Sequence, residues 1–175
     1  MPRRPSPLTV VLAAVLLAAA LDAAQGPIEV RVVVVTMFEL GDDIGDQPGE
    51  FQHWVEREAL DQVVTFPQGW RDLRMNKNGV LGLCTGIGTA KAAASVMALG
   101  LDPRFDLRRA YWVVAGIAGI DQQRDGITAA ESLAETKVGS YVAYLPAIDA
   151  AHRVASVVVR RLVDGWSQYR DRMPE

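Results

Sequence analysis

Cysteine, histidine and surplus positive charge are all scarce in this sequence of 175 residues. Cys84 is the single cysteine, which excludes an intramolecular disulfide, and the two histidines, His53 and His152, lack the spacing of metal ligands. Lys and Arg number 18 against 21 Asp and Glu, so no basic excess is present to neutralise a phosphate backbone, and no nucleic acid partner is expected. Because 50% of the residues are apolar, the composition is that of one globular domain and not of a disordered chain.

Long apolar runs are also absent, except near the N-terminus. There Arg3 and Arg4 precede an apolar run over residues 8–21, which is shorter than the roughly 20 residues that a helix needs to cross a bilayer. Small residues follow the run, so we predict that residues 1–24 form a signal peptide and that the protein is exported, to the periplasm or outside the cell. An uncleaved N-terminal anchor is the alternative. No later segment is a candidate membrane span.

Strand and helix patterns alternate over residues 28–121, which we assign to one α/β part. Residues 30–36 are β-branched nearly throughout, as in a strand buried on both faces. Asn78-Gly79 predicts a tight turn. Further strands are expected at residues 63–66, 73–75, 80–85 and 110–115, and helices at 50–60 and 90–99. This order predicts a mainly parallel sheet with helices on both faces.

No strand pattern appears beyond Asp121. A polar junction covers residues 122–127, and residues 128–175 are expected to form helices of the same domain. Thr128 and Glu131 have capping-box spacing, which predicts a helix over residues 128–137. Pro146 is expected in the first turn of a longer helix. Its apolar stripe comprises Ile148, His152, Ala155, Val159, Leu162, Trp166 and Tyr169.

Two glycine-rich turns, at residues 85–89 and 116–119, follow predicted strands and are the best candidates for a ligand site. Glycine allows close approach of a ligand, and the N–H groups that open a helix favour a phosphate, a hydroxyl or a carboxylate. We expect both turns at the carboxyl ends of adjacent parallel strands, where open α/β sheets bind ligands. The alternative is that the glycines serve only tight turns and close packing. Lys91 stands where the dinucleotide fingerprint has its third glycine, and no cofactor is expected.

The segment after the first strand is acidic. Its carboxylates are Glu39, Asp42, Asp43, Asp46 and Glu50. Their spacing does not match a calcium loop, so we expect a solvated loop and no metal. Glu39 directly follows the strand and is the one expected to reach the glycine turns. Cys84, in an apolar strand, is expected to be buried and inert.

Several of these motifs, occurring in order, resemble the purine nucleoside permease family. The matching segments are residues 33–39 with 45–52, then 85–90, then 114–121, and towards the C-terminus 128–133, 144–147 and 165–174. In that family a long central stretch separates the two blocks, whereas here residues 122–127 join them. The resemblance therefore covers nearly all of the chain after residue 24 but only part of the family's domain.

The resemblance implies a fold similar to nucleoside phosphorylases, shortened in its middle, and a role in binding and uptake of purine nucleosides, with phosphate as a second candidate ligand. By the same resemblance the ligand contacts are Gly86, Gly88, Thr89, Gly116, Ala118, Gly119 and, more weakly, Glu39. A phosphorylase or hydrolase is the alternative function, and an inactive shortened form of either is a third. The catalytic residues, the particular nucleoside and a homo-oligomeric state are left open.

Overall fold

The structure is a computed structural model that describes residues 26–116 and 141–172, with the backbone alone for residues 141–144 and 172. The strands are β1 (Ile28–Glu29), β2 (Val32–Thr36), β3 (Gln62–Val64), β4 (Leu73–Met75), β5 (Val80–Cys84), β6 (Phe105–Asp106) and β7 (Tyr111–Val114). The helices are α1 (Gln52–Arg57), α2 (Thr89–Gly100), α3 (Tyr141–Asp164) and α4 (Trp166–Tyr169), followed by a 3₁₀ turn (Arg170–Arg172). The described residues are of the α/β class.

Five strands form the main sheet, in the order β3-β4-β5-β2-β7. The central strand β2 pairs in parallel with β5 and with β7, whereas β3, β4 and β5 are joined by antiparallel pairings. A separate parallel pair joins β1 to β6. The sheet is therefore mixed and not mainly parallel as predicted. The short connection from Met75 to Val80 explains the difference, because a parallel pairing needs a much longer crossover.

Alternate residues of β2 enter two different apolar cores. Val33 and Val35 pack with Leu99 of α2 on one face of the sheet, while Val32 and Val34 pack with Trp54 of α1 and with residues of α3 on the other. This is the period-two alternation of a strand covered on both sides, so the prediction of helices on both faces is confirmed. All five residues of β2 are buried, and β2 is also the strand between the two glycine turns.

Most predicted elements are present, with shifted ends. The helix predicted over residues 50–60 is reduced to α1, and the long helix begins at Tyr141, so that Pro146 lies inside it and not in its first turn. The buried stripe of α3 is confirmed at Ile148, His152 and Val159. The predicted signal peptide, the junction at 122–127 and the helix at 128–137 lie outside the described residues. Within the described residues, no helix is long and apolar enough to cross a membrane.

Candidate functional site

The two glycine turns lie at the same edge of the sheet, on either side of the end of β2. The Thr85 N–H donates to the Thr36 carbonyl at 2.9 Å, and the Ala115 N–H donates to the Val35 carbonyl at 2.9 Å. The predicted edge is thus present, but the two strands that carry the turns are not adjacent as expected. Strand β2 lies between them, so its last residues form the middle of the candidate site.

The first turn is built around Gly86, whose φ of +79° favours glycine. A Cβ at Gly86 would lie 2.9 Å from the ring of Trp70 and 3.0 Å from Cδ of Lys91. The Lys91 ammonium lies 3.7 Å from the centre of the Trp70 ring, a cation–π contact, although 53% of Trp70 is exposed. Gly86 is therefore needed for the packing of Trp70 and Lys91, whatever else approaches it.

Gly88 is different, because its surroundings are open. Its φ is +103°, and no atom lies within 4 Å of the position that a Cβ would occupy. It precedes Thr89, the exposed first residue of α2, and the start of this helix has no side-chain cap. The first N–H groups of a helix have no partner within the helix, and the positive end of the helix dipole adds to their attraction for oxygen. A hydroxyl or an anion can approach the backbone here.

The second turn begins at Gly116 and meets a carboxylate. Glu50 is 3% exposed, and its Oε2 accepts a hydrogen bond from the Met37 N–H at 2.7 Å. A Cβ at Gly116 would lie 2.8 Å from Oε1 of Glu50 and would also overlap Cε of Met37. Glu50 is thus held at the carboxyl ends of β2 and β7. Ala118 and Gly119, the other predicted contacts of this turn, lie outside the described residues.

Sequence reasoning overlooked Glu50, since it was grouped with the acidic loop. The available signal was its position directly before the apolar residues Phe51, Trp54 and Val55, all of which are buried. A carboxylate next to such a segment is carried inward with it when the segment packs.

Glu39 also lies at this edge, and its carboxylate contacts the chain on either side of Glu50. It accepts hydrogen bonds from the backbone N–H groups of Gly49 and Gln52, and from Leu40 at 2.8 Å. Burial raises the pKa of Glu39 above its ordinary value, and the three backbone hydrogen bonds oppose that shift. The geometry gives Glu39 a role in fixing the segment that carries Glu50.

The rest of the acidic loop is only partly solvated. Asp42 and Asp46 are exposed as expected, but Asp43 forms ion pairs with Arg71 at 2.8 Å and Arg74 at 2.9 Å. These pairs attach the loop to β4. No group of three or more His, Cys, Asp or Glu side chains that could hold a metal is found among residues 26–116 and 141–172.

Cys84 ends β5 next to this edge, and its thiol is buried. The predicted burial of Cys84 is confirmed. Burial raises the pKa of that thiol, which favours its protonated form, and its inertness stays a prediction.

The fold and this edge define an α/β protein with glycine turns and a buried carboxylate where the parallel strands end. A sequence model of the purine nucleoside permease family matches residues 29–128, more than half of the chain, and this stretch includes β2, β5, β7 and Glu50. The chain belongs to the purine nucleoside permease family.

Individual relatives match over shorter stretches. The chain is 33% identical to a purine nucleoside permease of Candida albicans over 90 residues, which cover 51% of this chain and 21% of that protein. It is 49% identical to a probable purine nucleoside permease of Schizosaccharomyces pombe over 39 residues, which cover 22% of this chain and 11% of that protein. The matched parts therefore represent about a fifth or less of these relatives. No solved structure matches the chain.

Proposed function

We propose that this chain binds a purine nucleoside at the edge formed by the ends of β5, β2 and β7, and that it serves nucleoside uptake through that binding. The observation that carries the proposal is the open backbone at Gly88, at the uncapped start of α2. Gly88 lies within residues 29–128, the stretch that matches the family. The names of the relatives supply the ligand class, and the open helix start supplies hydrogen-bond donors suited to it.

The chemistry of the edge fits the parts of a nucleoside. Backbone N–H groups at Gly88 and Thr89 suit a ribose hydroxyl oxygen or a phosphate. The Glu50 carboxylate can accept hydrogen bonds from ribose hydroxyls or from an N–H of the base. Gly116 leaves room for this carboxylate, since a side chain there would overlap it. Gly86 and Glu39 contribute by holding Trp70 and the segment around Glu50 in place.

The proposal also covers the fold, two further ligand contacts and export of the protein. We propose a fold similar to nucleoside phosphorylases, with residues 28–121 and 128–175 as two parts of one domain and Ala118 and Gly119 as further ligand contacts. We also propose that residues 1–24 are a signal peptide that directs export, because a short apolar run follows Arg3 and Arg4.

Thermal unfolding with inosine and adenosine, each with and without phosphate, tests the binding. A ligand that binds only the folded chain must raise the midpoint, and at about 100 times its Kd it adds about 2.7 kcal/mol to the unfolding free energy. We expect a nucleoside to raise the midpoint and cytidine, which has the ribose without a purine, to raise it less. No shift with any purine nucleoside would refute the proposal.

A matched pair of variants locates the site. Glu50→Gln keeps the size of the buried side chain and removes its charge, so the nucleoside-induced shift should fall. Asp42→Asn makes the same chemical change at an exposed position of the same segment and should leave the shift unchanged. Assay of free purine base in the same samples distinguishes binding from glycosidic cleavage, because only a phosphorylase or hydrolase releases base.

A further inference from the structure

The only two histidines of the chain lie far apart in the sequence and come together between α1 and α3. His53 is 8% exposed and His152 is 4% exposed, and their ring centres lie 6.0 Å apart. The ring of His152 also packs edge-on against Trp54, with 4.9 Å between ring centres. Nδ1 of His53 and Nε2 of His152 are buried without a hydrogen-bond partner in the described residues.

Five charged side chains act on the histidine pair. From α1 and the residue after it they are Glu56, Arg57 and Glu58, and from α3 they are Asp149 and Arg160. Two of the three carboxylates already have arginine partners: Arg57 contacts Asp149 at 2.6 Å, and Arg160 contacts Glu58 at 2.6 Å. A proton added to His152 would therefore place a second positive charge next to Arg57.

The contact between Arg57 and His152 indicates which ring nitrogen of the neutral His152 carries the proton. An Arg57 guanidinium nitrogen lies 3.4 Å from Nδ1 of His152. Arginine has only donors, so Nδ1 must be the acceptor and the ring proton must be on Nε2, which lies 3.5 Å from Oε1 of Glu58. A second proton on this ring would bring an N–H of His152 against an N–H of Arg57.

We propose that the His53–His152 pair is an acid-sensitive latch, which holds α3 against α1 while both imidazoles are neutral and releases α3 when they are protonated. The released state exposes the imidazoles to water and separates His152 from Arg57. Because α1 begins two residues after Glu50, release would also loosen the proposed nucleoside edge, and this last consequence rests on the proposed function.

The electrostatics support this direction of change. Burial lowers the pKa of His53 and of His152 below the ordinary value, and the charge of Arg57 lowers both further. The open state, with ordinary values, therefore binds more protons. The stabilisation is complete above about pH 6.5 and is lost as the pH falls towards the lower values of the closed state. Glu39 acts in the opposite sense, because its pKa is raised and acid favours its folded environment.

Amide hydrogen exchange on the full chain without ligand tests the latch, at about pH 7.5 and about pH 5.5 after correction for intrinsic exchange rates. We expect the opening constant of α3 to rise by about tenfold per pH unit for each proton taken up, while β2 and β5 keep their protection. Unchanged protection of α3 would overturn the proposal. A parallel loss across β2 and β5 would also overturn it, because that pattern is global acid unfolding.

Two substitutions provide the matched test. His53→Gln and His152→Asn replace the imidazoles by amides that do not take up a proton, and in His152→Asn the new amide oxygen can still accept the Arg57 hydrogen bond. Each single variant should lose part of the acid response of α3, and the double variant should lose all of it. A double variant that keeps the full response would contradict the proposal.

The NMR titration of the two imidazoles in the wild-type chain keeps the proposal testable if the double variant does not fold. Both imidazoles should titrate below their ordinary range, and their titration should coincide with the opening of α3. These measurements need no ligand, so failure of nucleoside binding and failure of the latch are separate results.

Discussion

The two glycine turns at the sheet edge have different surroundings. At Gly86 an exposed tryptophan and a lysine cover the glycine, and two residues later Gly88 faces open space at the start of α2. At Gly116 a buried carboxylate and Met37 occupy the space in front of the glycine. The first turn thus has backbone N–H groups open to solvent at Gly88, whereas the second turn lies against the buried side chain of Glu50.

In the proposed site, this difference gives the two sides different roles. The Gly88 side offers N–H donors and the Gly116 side offers carboxylate oxygens, so together they can contact both acceptors and donors of one ligand. Substitutions can separate the two sides, since each glycine is required for a different reason. The four predictions below run from the largest expected free-energy effect to the smallest.

The largest effect is expected from Glu39→Leu, which should disturb the Gly116 side. Loss of the carboxylate leaves the N–H groups of Gly49 and Gln52 without their acceptor on either side of Glu50. Leaving buried donors unpaired should cost about 3 kcal/mol of unfolding free energy, measured by urea denaturation. Glu39→Gln keeps one acceptor oxygen and should lose less than half as much. Equal losses for the two variants would show that the acceptor oxygen kept in Glu39→Gln makes no difference to stability.

Gly116→Ala should have the next largest effect, because its methyl group would overlap Glu50 and Met37. We expect a loss of about 2 kcal/mol, in the range for an overpacked site, together with weaker nucleoside binding. Gly100→Ala is the control, since nothing lies within 4 Å of the added Cβ in α2. It should be neutral or stabilising by up to about 1 kcal/mol, as alanine favours helices. Wild-type stability of Gly116→Ala would mean that Glu50 moves aside without cost.

The parts of this edge that could be predicted from the sequence are those with a local cause. Strand β2 is a run of valines, and α2 follows two glycines, so each carries its own pattern. The position of β2 between β5 and β7 has no local signal, because strand order depends on which surfaces pack. The burial of Glu50 and the meeting of His53 with His152 likewise follow from contacts between distant segments. Strands β1 and β6 span two residues each, too few to show a period.

A smaller loss is expected from Gly88→Ala, which tests the open side of the edge. The methyl group has space, so the expected cost of about 1 kcal/mol comes from the backbone conformation alone. Gly45→Ala is the matched control, with a φ of +83° and equally open surroundings in the acidic loop. Gly88→Ala should unfold at the same urea concentration as Gly45→Ala or at a lower one, since the ψ of 148° at Gly88 is also unfavourable for alanine. Only Gly88→Ala should reduce the nucleoside-induced thermal shift. If both keep the full shift, the Gly88 turn serves the fold and not the ligand.

The smallest effect is the coupling free energy between substitutions at Trp70 and Gly86, which measures how strongly the Trp70 side chain constrains Gly86. Gly86→Ala has two costs, the positive φ and the overlap with Trp70, whereas in a Trp70→Ala background only the φ cost is left. The double-mutant cycle should therefore give a coupling of about 0.5–1 kcal/mol, the size of a cation–π contact at an exposed site together with slight overpacking. Lys91→Met separates these contributions, because it removes the charge above the ring and keeps most of the side-chain length. A coupling of zero would mean that Trp70 moves off Gly86 without cost, and the two turns would then differ only in the carboxylate at Gly116.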